Sequence, residues 1–302
     1  MDYQKNSRGC ETKSFGSLSK RNRTAHESSW PHNLRLKHRD PKDFSKRLLL
    51  VMRMILFWLL FPFVLPQALK VRRSAPRLLG ANGPHKGRFG SGNTLNLLAI
   101  GDSIIAGVGA RTVEQALPGQ VALELAKLLG CEVRWQALGS IGATSATVRS
   151  SLFPSLPRDT FDVMVLSVGV NDVTSLRRTS SWSKDLGNLL DQLRRHSPEA
   201  AIVMVGLPPL SKFPLLPQPL RAVMGIRATV FDNVAVQVIS MRAGIVHVPL
   251  PFDLGLENFS SDGFHPSPSS HRNLGQNIAG NIAAVIAREQ APRTPSRKDS
   301  VS

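Results

Sequence analysis

The stretch Leu95-Asn96-Leu97-Leu98-Ala99-Ile100-Gly101-Asp102-Ser103 decides how this chain folds. Leu97 to Ile100 reads as a strand buried on both faces, because it is short, apolar throughout and stopped by a glycine. Asp102 and Ser103 then stand at the carboxyl end of that strand, in a turn that enters a helix, with glycines again at Gly107 and Gly109. Ligands of open α/β sheets bind at this edge. A serine placed there can expose its hydroxyl and keep its own N–H free for a ligand, so Ser103 is a candidate nucleophile. Taken alone, the segment also fits a tight turn with an Asp/Ser helix cap, and the rest of the chain has to decide.

Downstream, strands and helices alternate. Gln120 to Leu129 has helical composition and stops at Gly130, and Glu132 to Leu138 is a strand that leads into the glycine turn Gly139 to Gly142. Phe161 to Val168 is the clearest buried strand and ends in Gly169-Val170-Asn171-Asp172. Leu186, Leu189, Leu190 and Leu193 recur at helical spacing, which predicts a helix packed on one face. Ala201 to Val205 is the fourth strand, Arg221 to Met241 a long helix, Gly244 to Val248 the fifth strand, and Ser269 to Ala287 a closing helix. This order predicts one three-layer α/β/α domain over residues 94–288, built on a parallel five-stranded sheet. No G-x-G-x-x-G follows a strand and no G-x-x-x-x-G-K-[ST] occurs, so nothing supports nucleotide binding.

Upstream, the composition changes. The net charge of +17 belongs mostly to the first third: residues 1–47 hold 12 Lys/Arg against 5 Asp/Glu, and residues 48–92 hold 7 against none. Residues 1–47 have no apolar periodicity and read as a basic disordered tail. Residues 48–69, LLLVMRMILFWLLFPFVLPQAL, form the most apolar segment, interrupted by Arg53 and by Pro62 and Pro66, which are expected to break its helical bonding. Flanking cations at Lys46, Arg47, Lys70, Arg72 and Arg73 suit a membrane anchor, shallow or spanning, rather than a core helix. A signal-like segment is the alternative, although no small-x-small cleavage site follows. Met52 and Met54 are alternative translation starts. The expected localisation is membrane-associated with the side undetermined, against exported or cytoplasmic. Residues 70–93 read as a linker and 289–302 as a disordered tail.

With Cys10 in the polar tail and Cys131 in the body, the two cysteines exclude a thiolate metal site and make a disulfide framework improbable. No aromatic-basic platform or zinc finger supports specific recognition of nucleic acid.

Four short segments would meet at one sheet edge: Gly101-Asp102-Ser103, Gly139 to Gly142, Gly169-Val170-Asn171-Asp172, and Asp262-Gly263-Phe264-His265-Pro266. An activated serine needs a base, a partner that orients the base, and donors for the oxyanion. His265 is the candidate base and Asp262 its partner. The Ser103 N–H, the Gly142 N–H and the Asn171 amide are the candidate oxyanion donors. Each piece alone has an ordinary reading as a loop histidine, turn or helix cap; their joint order and placement carry the inference.

These four blocks, in this order, resemble the SGNH hydrolases, the GDSL-type esterases and lipases, over nearly the whole predicted domain. The resemblance implies a flavodoxin-like fold and metal-free ester hydrolysis without a cofactor. It also implies Ser103 as nucleophile, Asp262 and His265 completing a triad, and Gly142 and Asn171 in the oxyanion hole. No Gly-x-Ser-x-Gly elbow of the unrelated α/β-hydrolase fold is present.

The segment from Leu207 to Leu220 is loop-like but apolar, and is either a wall beside the site or a loop packing its own Leu and Phe on the core. A wall, together with the 48–69 segment, predicts small-molecule acyl or lipid esters as substrates and a preference for medium chains over acetate. The alternatives are deacetylation of O-acetyl carbohydrates, acyl transfer, and a non-catalytic acyl- or glycan-binding module. Arg177, Arg178 and Trp182 read as a solvated helix start or as contacts to a polar substrate group.

Overall fold

The computed structural model describes residues 41–250 and 255–290. The expected tails, up to residue 40 and over residues 291–302, lie outside the described residues. The described residues from Ser45 onward form one compact unit. The strands are β1 (Lys86–Phe89), β2 (Thr94–Gly101), β3 (Glu132–Gly139), β4 (Val163–Ser167), β5 (Ala201–Val205) and β6 (Ile245–Val248). The helices are α1 (Pro41–Ser74), α2 (Leu117–Leu129), α3 (Ser145–Thr147), α4 (Val170–Thr174), α5 (Thr179–His196), α6 (Leu220–Ser240) and α7 (Pro268–Gln290).

The sheet runs β1-β3-β2-β4-β5-β6. All neighbouring pairs are parallel except β1, which is antiparallel to β3. Alternation along the strands divides the core in two, as the two-residue period of a pleated strand requires. Leu98, Ile100, Met164, Leu166, Ile202 and Met204 face the layer that contains α5 and α6. Leu97, Ala99, Val163, Val165, Val203 and Val205 face α2 and α7. The expected three layers are present, but the sheet is mixed and has six strands, not a parallel five. The sixth is β1, in the segment read as linker. It has exposed Lys86, Gly87 and Arg88, as an edge strand with one partner does, and so carries no apolar pattern.

α1 is continuous across Pro62 and Pro66, contrary to the expected break. Both prolines sit on its exposed side. The opposite side is held by packing: Phe57, Phe61 and Val64 are buried in the core cluster shared with α6. The Gln67 side chain donates to Gln218 O at 3.0 Å and accepts from Leu220 N–H at 3.1 Å. The helical reading therefore extends back to residue 41, inside the segment read as disordered.

Candidate active site

β2 carries the first component to the sheet edge. Gly101 has φ +156, and a Cβ there would lie 2.0 Å from Ser167 O, so only glycine lets β2 pass this close to the end of β4. The chain then turns. Asp102 N–H donates to Ser167 O at 3.0 Å, and Asp102 Oδ1 accepts from Ser167 Oγ at 3.2 Å. Asp102 is buried, and burial pushes its carboxyl up to about 6 against the opposing hydrogen bonds from Ile104 and Ser167.

Ser103 Oγ lies 3.0 Å from His265 Nε2, and His265 Nδ1 lies 2.6 Å from Asp262 Oδ2. The other Asp262 oxygen accepts the N–H groups of Phe264 and His265 at 2.9 and 3.0 Å. Burial resists ionisation of Asp262, but the hydrogen bonds from the His265 ring and from these two N–H groups outweigh it and hold the carboxyl below its ordinary value. An ionised Asp262 fixes the proton on Nδ1 and leaves Nε2 free to accept from Ser103. The loop that carries both residues is closed by Ser260 N–H to His265 O at 2.8 Å.

The other two blocks converge on the same edge. Ser140 N–H donates to Gly101 O at 3.1 Å, which ties the turn after β3 to the end of β2. Gly142 in that turn has φ +79. Asn171 on α4 donates from Nδ2 to Ala143 O at 3.0 Å. Asp172, fully buried beside it, accepts from Ser145 N–H at 2.9 Å and Ser145 Oγ at 2.8 Å, fastening α4 to α3. Among the described residues, neither the Ser103 N–H nor the Gly142 N–H has a hydrogen-bond acceptor in the protein.

A cavity of about 350 Å³ opens on Ser103 and His265. Its other walls are mainly apolar, with Ile104, Val168, Leu207, Phe213, Phe259 and Phe264 prominent. The apolar loop after β5 serves both roles. Leu207, Pro208 and Phe213 line the cavity, and Leu207 and Phe213 also pack in the core with Leu210 and Leu216. Among the described residues no group of three His, Cys, Asp or Glu could hold a metal ion.

Residues 99–272 match the model of the GDSL-like lipase/acylhydrolase family. The chain belongs to that family. A GDSL-like esterase of Mycobacterium tuberculosis is 31% identical over 191 residues, which span 59% of this chain and 58% of that protein. The chain thus matches little more than half the length of its curated relative. The family 3 carbohydrate esterase of Clostridium thermocellum superposes with a TM-score of 0.51 at 19% identity, covering 66% of this chain and all of that one. A family 2 carbohydrate esterase with a carbohydrate-binding domain, from Corynascus thermopiles (Myceliophthora fergusii), gives 0.51 at 18% identity, over 66% of this chain and 68% of that one. At such identities the likeness shows the fold alone.

The structure brings together Ser103, Asp262 and His265, and sets Gly142 and Asn171 on neighbouring elements. It does not bear out either reading of Trp182. That ring is fully buried, stacks on Phe231 at 5.9 Å and donates to Phe231 O at 3.0 Å. Arg177 pairs with Asp172 at 3.2 Å and with Asp185. Two supporting residues escaped the sequence reading. His271, fully buried in α7, accepts Leu117 N–H at Nδ1 over 3.1 Å and reaches Val108 O with Nε2 at 3.0 Å. Asp232 accepts Leu207 N–H and a hydrogen bond from His247 Nε2, both at 2.9 Å, and so holds the cavity wall. Neither residue falls in a recognisable spacing, since both act through backbone groups distant in sequence.

Proposed function

We propose that this protein is a serine carboxylic-ester hydrolase acting on acyl or lipid esters through Ser103, His265 and Asp262. The observation that carries the reading is the relay of 3.0 Å and 2.6 Å from Ser103 through His265 to Asp262, opening onto an apolar cavity. Ser103 Oγ attacks the ester carbonyl while its proton passes to His265 Nε2. The oxyanion is met by the N–H groups of Ser103 and Gly142 and by the second amide hydrogen of Asn171, the first being given to Ala143. The alcohol leaves with the proton from His265. Water, deprotonated by the same histidine, then resolves the acyl-enzyme. Family membership and the name of the mycobacterial relative support ester hydrolysis.

The cavity falls within the size range of small-molecule sites, and its aromatic and aliphatic walls favour an acyl chain over a sugar. The carbohydrate esterases of the same fold supply the second reading, removal of acetyl groups from carbohydrate. The expected setting is a membrane surface reached through residues 48–69.

The test is hydrolysis of nitrophenyl esters from acetate to laurate by the full chain, with Ser103→Ala as control. A maximum at medium chains that disappears in the variant is the expected result. A maximum at acetate replaces the acyl reading with the carbohydrate one, and activity that survives in Ser103→Ala overturns the mechanism.

A further inference from the structure

α1 presents two unlike faces to its surroundings. Met54, Phe57, Phe61, Val64, Ala68 and Val71 pack on the catalytic core, at alternating spacings of three and four residues. Such spacing keeps one side of a helix against one neighbour along its length. Phe57 is wholly buried, and its ring lies 4.9 Å from the guanidinium carbon of the buried Arg227 on α6. The Gln67 pairing with Gln218 and Leu220 closes the far end.

The other face is apolar and uncovered. Of the eighteen large apolar side chains exposed among the described residues, twelve are on α1. They include Leu49, Leu56 and Phe63, which is 83% exposed. These three, seven residues apart, fall on one stripe away from the docked one. Soluble surfaces rarely leave such a patch uncovered.

The charge beside this face suits a lipid surface. Residues 48–92 carry seven Lys/Arg and no Asp/Glu, with Lys70, Arg72 and Arg73 exposed at the end of the apolar stretch. Such a run is drawn to anionic headgroups. Length decides how a docked α1 would meet such a surface. The docked stripe from Met54 to Val71 extends ~25 Å along the helix axis. Ahead of it, Leu48 to Met54 supplies only ~9 Å, against the roughly 30 Å of a bilayer core. A docked α1 cannot cross a membrane without taking α6 with it.

We propose that α1 lies in the plane of a membrane surface, with the catalytic domain as its second face and the Leu49-Leu56-Phe63 stripe among the acyl chains. This deepens the membrane contact proposed above and does not depend on the hydrolytic reading. It also places the Gln67–Gln218 junction beside the lipid.

The test uses the full chain with Cys10 and Cys131 replaced by serine and a nitroxide attached at residue 49, 56 or 63 in turn. Each labelled protein is mixed with vesicles of phosphatidylcholine and phosphatidylglycerol, and its depth is read from the relative accessibility to oxygen and to a water-soluble nickel complex. A cooperative melting transition matching that of the unlabelled protein establishes that each labelled protein is folded, whether or not it hydrolyses esters. An in-plane helix gives three equal depths of ~5–10 Å. Depths graded over ~21 Å along the three sites mean a crossing helix and overturn the in-plane mode alone. Labels open to water overturn it together with the membrane contact. Labels shielded from both reagents mean that a second copy covers the face, which also overturns it.

Discussion

The side-chain amide of Asn171 donates to the carbonyl oxygen of Ala143 over 3.0 Å, one residue beyond Gly142. The two proposed oxyanion donors are therefore fixed to each other before any substrate arrives. Preorganised donors of this kind act on the transition state, since no reorganisation remains to be made when charge develops. Asn171→Ala is expected to lower kcat by about 10²–10³ with little change in KM, as measured with a soluble nitrophenyl ester. Equal losses in binding and turnover would mean that Asn171 only shapes the turn.

Gly142→Ala offers an independent check. A Cβ at this position meets nothing within 4 Å, so no clash confuses the result. The strain comes from φ +79, where a side chain costs about 1–2 kcal/mol. Relief of that strain turns the Gly142 N–H away from its present direction. The expected outcome is a fall in kcat larger than the modest loss in melting temperature accounts for.

The wall of the cavity is tested through Asp232. Its Oδ1 holds both Leu207 N–H and His247 Nε2 at 2.9 Å. Asp232→Ala leaves the Leu207 N–H unpaired, at about 1–3 kcal/mol, and frees the wall to shift. Discrimination between medium-chain and acetyl esters should shrink, while turnover of acetate changes little. Asp232→Asn keeps an acceptor at the same place and should preserve the wild-type chain-length profile.

The parts of this fold that were legible in the sequence are those whose neighbours are fixed by burial. Val163 to Ser167 is buried at every position, and Val163 to Leu166 so reads as an uninterrupted apolar run. The four site blocks were legible because each ends such a strand or closes the last loop. β1 was not, because Lys86-Gly87-Arg88 faces solvent and its pairing with β3 is made by backbone groups. The continuity of α1 was hidden for a related reason. Pro62 and Pro66 remove hydrogen bonds locally, but Phe61 and Val64 beside them are held by distant core residues that propensity does not register.

Stability against pH tests the buried supports of the site, where two groups pull in opposite directions. His271 accepts a backbone N–H at Nδ1, so it is held neutral in the fold, and burial lowers it from 6.5 to about 4. The unfolded chain takes up a proton near 6.5 that the folded chain refuses. The His271 contribution is therefore present above that value and is lost as pH falls toward 4, about 2 kcal/mol between pH 7 and pH 5. Asp102 has the reverse sign. Burial raises it from 3.8 to about 6, so the folded chain holds a proton that the unfolded chain releases. Its contribution is present at low pH and is lost as pH rises through 6, about 1 kcal/mol over the same interval. The wild type should therefore show only part of either slope. In urea unfolding at the two pH values, His271→Leu should lose less stability on acidification than the wild type, although it starts lower. Asp102→Asn should lose more. Parallel slopes in all three proteins would mean that neither group keeps its folded protonation state against solvent.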